Sequence, residues 1–132
     1  MSALEPGLTG EVTWEVTEER TAHALGNTGV YVLTTPMLLN LLEHAAIKAL
    51  EPALAEGQAS VGTHLDVRHL AATPVGMTVT ARARLVGVGG RRLTFEVEAE
   101  DEREPVARGT HERFVVDMAR FLARIDEKGS RS

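Results

Sequence analysis

Residues 34–50 have the sequence TTPMLLNLLEHAAIKAL, and this stretch decides the fold. Thr34 or Thr35 can accept a hydrogen bond from a free amide of the first helical turn. Pro36 suits the first turn because it has no N–H to leave unpaired. At about 100° per residue, the apolar side chains share one wide face. The members of that face are Leu38, Leu41, Leu42, Ala45 and Ala49. A face this wide predicts a helix that other elements largely enclose.

Glu43 lies at the edge of the narrow polar stripe of this helix, among apolar neighbours. It has no Lys or Arg four positions away with which it could pair along the helix. Two interpretations stay open. Glu43 is either a carboxylate at the rim of the buried face that reaches water, or a partly desolvated carboxylate of the kind that serves as a base or nucleophile.

Length and composition favour one globular domain over residues 1–132, because 43% of the residues are hydrophobic and a second domain has no room. The net charge is −5 and the basic residues are dispersed, so neither nucleic acid nor a membrane surface is the expected partner. The absence of Cys excludes disulfides, thiolate nucleophiles and Cys-based metal sites. No apolar signal segment or membrane span is present, which predicts a cytoplasmic protein.

The rest of the chain changes to a period of two, which indicates strands. The predicted strands are 8–16, 60–71, 77–87, 91–101 and 104–117, and an amphipathic helix follows over 118–128. This order predicts an α+β fold in which an antiparallel sheet covers the long helix on one face. A single sheet leaves an edge strand to cover, so we expect a dimer.

Polar and small residues interrupt the strand over 60–71. Odd positions place Val61 and Val67 on one face together with His69. His69 is either a structural residue at a strand end or a site residue. Gly62 indicates either a bulge or a close approach of a ligand to the backbone.

No two histidines have the spacing of a zinc motif, and the chain lacks the motifs of serine hydrolases, phosphate loops and dinucleotide sites, so we expect no metal and no cofactor.

Several motifs in this region resemble one branch of a known family. They are GT at 62–63, HLAATPVG at 69–76, GRRL at 90–93 and GTHER at 109–113. Thr35 also stands eight residues before Glu43, in a helix whose second half is rich in Ala. Together, over about residues 35–125, these motifs resemble the fluoroacetyl-CoA thioesterase branch of the hotdog-fold thioesterases.

The resemblance implies a hotdog fold, an antiparallel sheet wrapped around the long helix and paired edge to edge with a second copy, with a tetramer left open. It implies an active site at the dimer interface, with Thr35, Glu43 and His69 as catalytic residues. It places the glycine that contacts substrate at Gly62 and the ligand-binding arginine at Arg113. The implied activity is hydrolysis of an acyl-CoA thioester, in which coenzyme A is part of the substrate rather than a cofactor.

One segment departs from the family pattern. Members that discriminate fluoroacetyl-CoA have a longer, Phe- and Pro-rich lid ahead of the catalytic threonine. Residues 21–33 are shorter here, contain no Phe, and have Tyr31 as their single aromatic residue. We therefore expect a general short or small acyl-CoA as substrate.

Two other functions are alternatives to a thioesterase. One is a non-catalytic hotdog module that binds acyl-CoA as a sensor or carrier. The other is a dehydratase or hydratase, whose usual His and Asp signature is not found.

Overall fold

The computed structural model describes residues 4–130. The strands are β1 (Thr9–Glu15), β2 (Gln58–His69), β3 (Thr78–Gly89), β4 (Arg92–Glu100) and β5 (Pro105–Asp117). The helices are α1 (Thr35–Leu50) and α2 (Met118–Gly129), with one short 3₁₀ turn at Glu18–Arg20. Each strand and helix predicted from the sequence is present, and its ends differ from the prediction by no more than two residues.

The five strands form one antiparallel sheet in the order β1-β3-β4-β5-β2. The long helix α1 packs against one face of this sheet, mainly on β1 and β3. The predicted α+β arrangement is therefore confirmed. Strands β1 and β2 are the two edges of the sheet. Each therefore has, on its outer side, a row of backbone groups that are not paired with another strand of residues 4–130.

The apolar face of α1 forms the centre of the core. All five residues predicted to share that face are less than 2% exposed. Gly10 of β1 lies so close to the helix that a Cβ added there would be 2.2 Å from Ala45 O and 2.5 Å from Ala49 N. The absence of a side chain at Gly10 thus allows β1 to contact the backbone of α1 directly.

The start of α1 differs from the prediction. Thr34 occupies the N-cap position, but its side chain makes no capping hydrogen bond. The hydroxyl of Thr35 bonds to His69 rather than to an amide of the first turn. The predicted N-cap position is confirmed at Thr34, but the expected capping hydrogen bond is not made, and the Thr35 hydroxyl has a longer-range partner. Among residues 4–130, no side chain therefore caps the first-turn amides of α1.

A β-bulge interrupts β2 between Gly62 and His64. The extra residue reverses the alternation of faces from that point on. Gly62 consequently faces α1, where a Cβ added to it would meet the carboxylate of Glu43, while Val61 lines a groove beneath α2 on the opposite side of the sheet. The prediction that Val61 shares a face with Val67 is wrong, because the bulge lies between these two residues and reverses the alternation of faces.

The terminal helix α2 is loosely attached. None of its residues is buried, and Leu122 and Ile125 are about half exposed. The side chain of Asp117 accepts a hydrogen bond from Arg120 N and thereby caps the first turn of α2. Neither α1 nor α2, the two α-helices of residues 4–130, is long and apolar enough to cross a membrane.

Candidate active site

The first polar pair of the site joins the start of α1 to the end of β2. Thr35 Oγ1 lies 2.8 Å from His69 Nδ1, although 34 positions separate the two residues. Nε2 of His69 is buried and has no hydrogen-bond partner among residues 4–130. The imidazole thus contacts a hydroxyl through one nitrogen and keeps the other nitrogen unpaired.

The environment of His69 favours its neutral form. Burial lowers the pKa of His69 below its ordinary value of 6.5, and a smaller effect of the Ala71 backbone opposes this. A neutral imidazole has one nitrogen lone pair that can accept a proton. His69 is therefore ready to act as a base at neutral pH.

The second polar group forms around Glu43 in the middle of α1. Arg113 Nη1 of β5 lies 3.3 Å from Glu43 Oε2, and the exposed fractions of the two side chains are 4% and 33%. The carboxylate thus reaches the surface on one side and contacts a buried guanidinium on the other. Its partner comes from 70 positions away, which explains why no partner was found along the helix.

Hydrogen bonds hold the Arg113 guanidinium from several directions. Nε donates to Ser60 Oγ at 2.7 Å, and Nη2 donates to Ser60 O at 2.9 Å. Nη1 lies 3.1 Å from His111 Nε2, in addition to its contact with Glu43. Burial lowers the pKa of Arg113 and the charge of Glu43 opposes this, but a guanidinium remains charged at neutral pH. These contacts fix the orientation of the positive charge that faces Glu43.

Sequence reasoning missed His111 and Ser60 as members of this group. His111 is fully buried, and its Nδ1 lies 2.8 Å from His64 O. A signal for His111 existed, because alternation along β5 places it on the same face as Arg113. No such signal existed for Ser60, since the bulge in β2 hides which face it occupies.

The structure brings the predicted residues together in two groups rather than one. Thr35 contacts His69, whereas Glu43 contacts Arg113 and lies against Gly62. Thr35 and Glu43 are eight positions apart along α1, which corresponds to a rise of about 12 Å. Within residues 4–130, no hydrogen bond joins Glu43 to either member of the first group.

Two comparisons with known proteins decide the family. Residues 16–119 match the family model described as the fluoroacetyl-CoA-specific thioesterase FlK. A fluoroacetyl-CoA thioesterase from Streptantibioticus cattleyicolor is 42% identical over 97 residues, which are 74% of this chain and 70% of that protein. The chain belongs to the fluoroacetyl-CoA-specific thioesterase family. The predicted family, and with it the thioester-hydrolase class, is confirmed.

Solved structures of similar proteins agree with this family and name its fold. A mutant of FlK in complex with acetyl-CoA superposes with a TM-score of 0.91 at 33% identity, covering 96% of this chain and 100% of that one. A hot-dog-like protein from Thermanaerovibrio acidaminovorans superposes with a TM-score of 0.87 at 27% identity, covering 96% and 94%. The predicted hotdog fold is confirmed.

In this member of the fluoroacetyl-CoA-specific thioesterase family, the segment before α1 is a short folded loop. Bridges between Thr21 and Leu33 and between Val32 and Pro74 attach its ends. Tyr31 stacks on His23 with ring centroids 4.3 Å apart, and its hydroxyl lies 3.2 Å from His23 Nε2. The aromatic ring expected in this segment therefore packs within the loop itself, and about half of Tyr31 is exposed.

Proposed function

We propose that this protein is an acyl-CoA thioesterase that hydrolyses a short or small acyl-CoA to the free acid and coenzyme A. In this proposal Thr35, Glu43 and His69 form the catalytic site at the interface of two copies of the chain. The observation that carries the proposal is the 2.8 Å contact between Thr35 Oγ1 and the imidazole of His69 at the uncapped start of α1. Family membership supports the same class of reaction.

Attack on a thioester carbonyl requires a base and a group that stabilises the oxyanion. His69 is neutral and can take a proton from the Thr35 hydroxyl or from a water molecule. The N-cap residue of α1 makes no side-chain hydrogen bond that would compete for its first-turn amides, and the helix dipole adds to their effect on a developing negative charge nearby. Gly62 provides a second candidate N–H, because no side chain obstructs it.

Glu43 is the proposed base or nucleophile in the second half of the site. Arg113 binds Oε2 of its carboxylate, and no hydrogen bond to Oε1 is found within residues 4–130. As a base, Glu43 would take a proton from water as the water oxygen bonds to the carbonyl carbon. The carbon–sulfur bond would then break, and the thiolate of coenzyme A would leave with a proton from the site. Arg113 would assist as a buried positive charge that keeps the carboxylate in place.

Two features of the structure support a site shared between two copies. The groups around Thr35 and Glu43 lie about 12 Å apart along α1 within one chain. The edge strand β2 carries Gly62 as its fifth residue and His69 as its twelfth and last. Antiparallel pairing of β2 with the β2 of a second copy, in a register centred near Leu65 and Asp66, would place Gly62 of one chain beside His69 of the other. Each dimer would then contain two composite sites.

The direct test is the hydrolysis of short acyl-CoA substrates by Glu43→Gln and His69→Ala. We expect kcat to fall by about 100-fold or more in each variant, because each loses a group that moves a proton or attacks carbon. His64→Ala is the matched control, since this histidine lies on the same strand with an exposed side chain. Near wild-type rates in both site variants would contradict the proposal.

The alternative is a non-catalytic module that binds acyl-CoA through Gly62 and Arg113. Tight binding of coenzyme A or acyl-CoA without turnover would support this alternative.

For the substrate, the short segment over residues 21–33 leads us to propose little discrimination between fluoroacetyl-CoA and acetyl-CoA. A strong preference for the fluorinated substrate in kcat/KM would show that this part of the proposal is wrong.

A further inference from the structure

His111 is a buried titratable group that the proposed mechanism does not use. It lies in the GTHER motif on the face of β5 that is turned toward α1, and it is fully buried. Its Nδ1 is 2.8 Å from His64 O, and its Nε2 is 3.1 Å from Arg113 Nη1. Its ring also stacks on Phe95 of β4 with centroids 6.1 Å apart. Both nitrogens and one face of the imidazole therefore have contacts.

The chemistry of its partners determines the protonation state of His111. A backbone carbonyl can only accept, so Nδ1 must carry the hydrogen and donate it to His64 O. A guanidinium can only donate, so Nε2 must offer its lone pair to Arg113. His111 is consequently neutral and protonated at Nδ1. A second proton would set an N–H and a positive charge directly against the guanidinium.

This lone pair is one of the anchors of Arg113. Nη1 of Arg113 has two hydrogens, and it contacts both His111 Nε2 and Glu43 Oε2. Ser60 holds the other two guanidinium nitrogens. We propose that His111 is a positioning residue, which in its neutral, Nδ1-protonated form holds Arg113 and through it orients the carboxylate of Glu43. The inference rests on the proposed function, since Glu43 is there the reacting group.

The charged groups that affect the pKa of His111 are Arg113 and Glu112 on its own strand and Glu43 on α1. Burial is the largest effect on the pKa of His111 and lowers it below 6.5, and the hydrogen bond to His64 O opposes this. Arg113 lowers the pKa further, while Glu43 and Glu112 raise it. His111 therefore becomes protonated only at acid pH. Its Nε2 then no longer accepts a hydrogen bond from Arg113, which would release the guanidinium and reduce activity.

Two variants separate the two hydrogen bonds of His111. In His111→Asn the amide nitrogen lies near the position of Nδ1 and can still donate to His64 O, but no atom accepts from Arg113. In His111→Gln the amide oxygen can reach the position of Nε2 and accept from Arg113, and the side chain does not titrate. We expect kcat to fall by about 10-fold to 100-fold in His111→Asn and to stay within about 5-fold of wild type in His111→Gln. His64→Ala, which keeps the accepting carbonyl, is the control.

The pH profile gives a readout that a purely structural role would not change. On the acidic side of the pH profile of kcat, His111→Gln should show one protonation fewer than wild type, because glutamine does not titrate. The contribution of His69 should remain. Equal losses of kcat in both variants, in proportion to their losses of stability, would overturn the proposal. So would wild-type kcat in His111→Asn.

Nitrogen-15 NMR of the histidine rings tests the inference without turnover. At pH 7 we expect a protonated Nδ1 and an unprotonated Nε2 for His111, assigned by the loss of these signals in His111→Gln. A doubly protonated ring or a proton on Nε2 would overturn the proposal. If the wild-type protein hydrolyses no acyl-CoA, the proposed function fails. The guanidinium signals of Arg113 then decide this inference: a shift in His111→Asn but not in His64→Ala supports it, and no shift in His111→Asn overturns it.

Discussion

At the scale of single residues, Gly62 determines where the carboxylate of Glu43 can lie. A Cβ at this position would be 2.3 Å from Glu43 Oε2 and 3.2 Å from both Arg113 Nη1 and His111 Cε1. The closest atom is the end of a flexible side chain, so an added methyl group would move the carboxylate rather than the backbone. Activity should therefore be more sensitive to this position than stability.

For Gly62→Ala we expect kcat to fall by about 10-fold or more, with a free energy of unfolding within about 1 kcal/mol of wild type. Steady-state kinetics and urea unfolding of the same preparation measure the two quantities. Gly89→Ala is the matched control, because Gly89 is also a strand glycine and a Cβ there meets nothing within 4 Å. Unchanged kinetics in Gly62→Ala would show that the position of the carboxylate is not critical.

Thr35 and its neighbour Thr34 allow a similar comparison. Thr35→Val removes the hydroxyl that contacts His69, and we expect a loss of about 10-fold to 100-fold in kcat with little change in thermal midpoint. Thr34→Val removes a hydroxyl that caps no amide, so its kinetics should stay near wild type. Equal losses in both variants would instead indicate a packing defect at the start of α1.

At the scale of elements, the contact between β1 and α1 should be the most sensitive to added volume. A Cβ at Gly10 would lie 2.2 Å from Ala45 O and 2.5 Å from Ala49 N, and neither backbone atom can move without displacing the helix. We expect Gly10→Ala to lower the free energy of unfolding by about 2 kcal/mol or more. Urea denaturation measures this loss. Wild-type stability in Gly10→Ala would mean that the strand and the helix can separate at low cost.

The bulge in β2 shows how one element changes the composition of the site. Without it, Gly62 and His69 would face opposite sides of the sheet, because they are an odd number of positions apart. With it, both residues face α1, as does Ser60, which binds Arg113. A local irregularity of one residue thus brings both polar groups to the same side of the sheet.

At the scale of the whole molecule, two histidines, the buried His111 and the half-buried His69, couple folding to pH. The pKa values of His69 and His111 both lie below the ordinary 6.5, in each case mainly because of burial. Below about pH 6.5 the unfolded chain binds protons that the native protein does not, so stability is fully present above this pH and falls as the solution becomes more acidic. The slope is at most about 1.4 kcal/mol per pH unit for each group.

Urea unfolding at pH 7.5 and at pH 5.5, at a fixed protein concentration, measures this slope. The decrease in the free energy of unfolding should be smaller in His111→Gln than in wild type, because one of the two groups is gone. His64→Ala is the control variant, because it removes an exposed histidine side chain and keeps the carbonyl that His111 contacts. An equal decrease in wild type and His111→Gln would contradict the assignment to His111.

Subunit mixing tests the composite site. If Thr35 and His69 of one copy act with Glu43 of the other, a heterodimer of His69→Ala and Glu43→Gln contains one intact site. Random pairing makes half of the dimers mixed, so co-expression should restore about a quarter of wild-type activity. Differently tagged subunits allow the mixed dimer to be isolated and assayed. An inactive mixed dimer would show that Glu43 and His69 of a site come from a single chain.

The sequence by itself determined the elements of this protein, because the periods of apolar residues in helices and strands depend on local burial. It also marked Glu43, Gly62 and His69 as unusual, while the site roles of Thr35 and Arg113 came from the resemblance to a family. Only the tertiary structure decided which polar groups meet. The Glu43–Arg113 and Thr35–His69 contacts span 70 and 34 positions, and they depend on strand register and on one bulge, neither of which a residue period specifies.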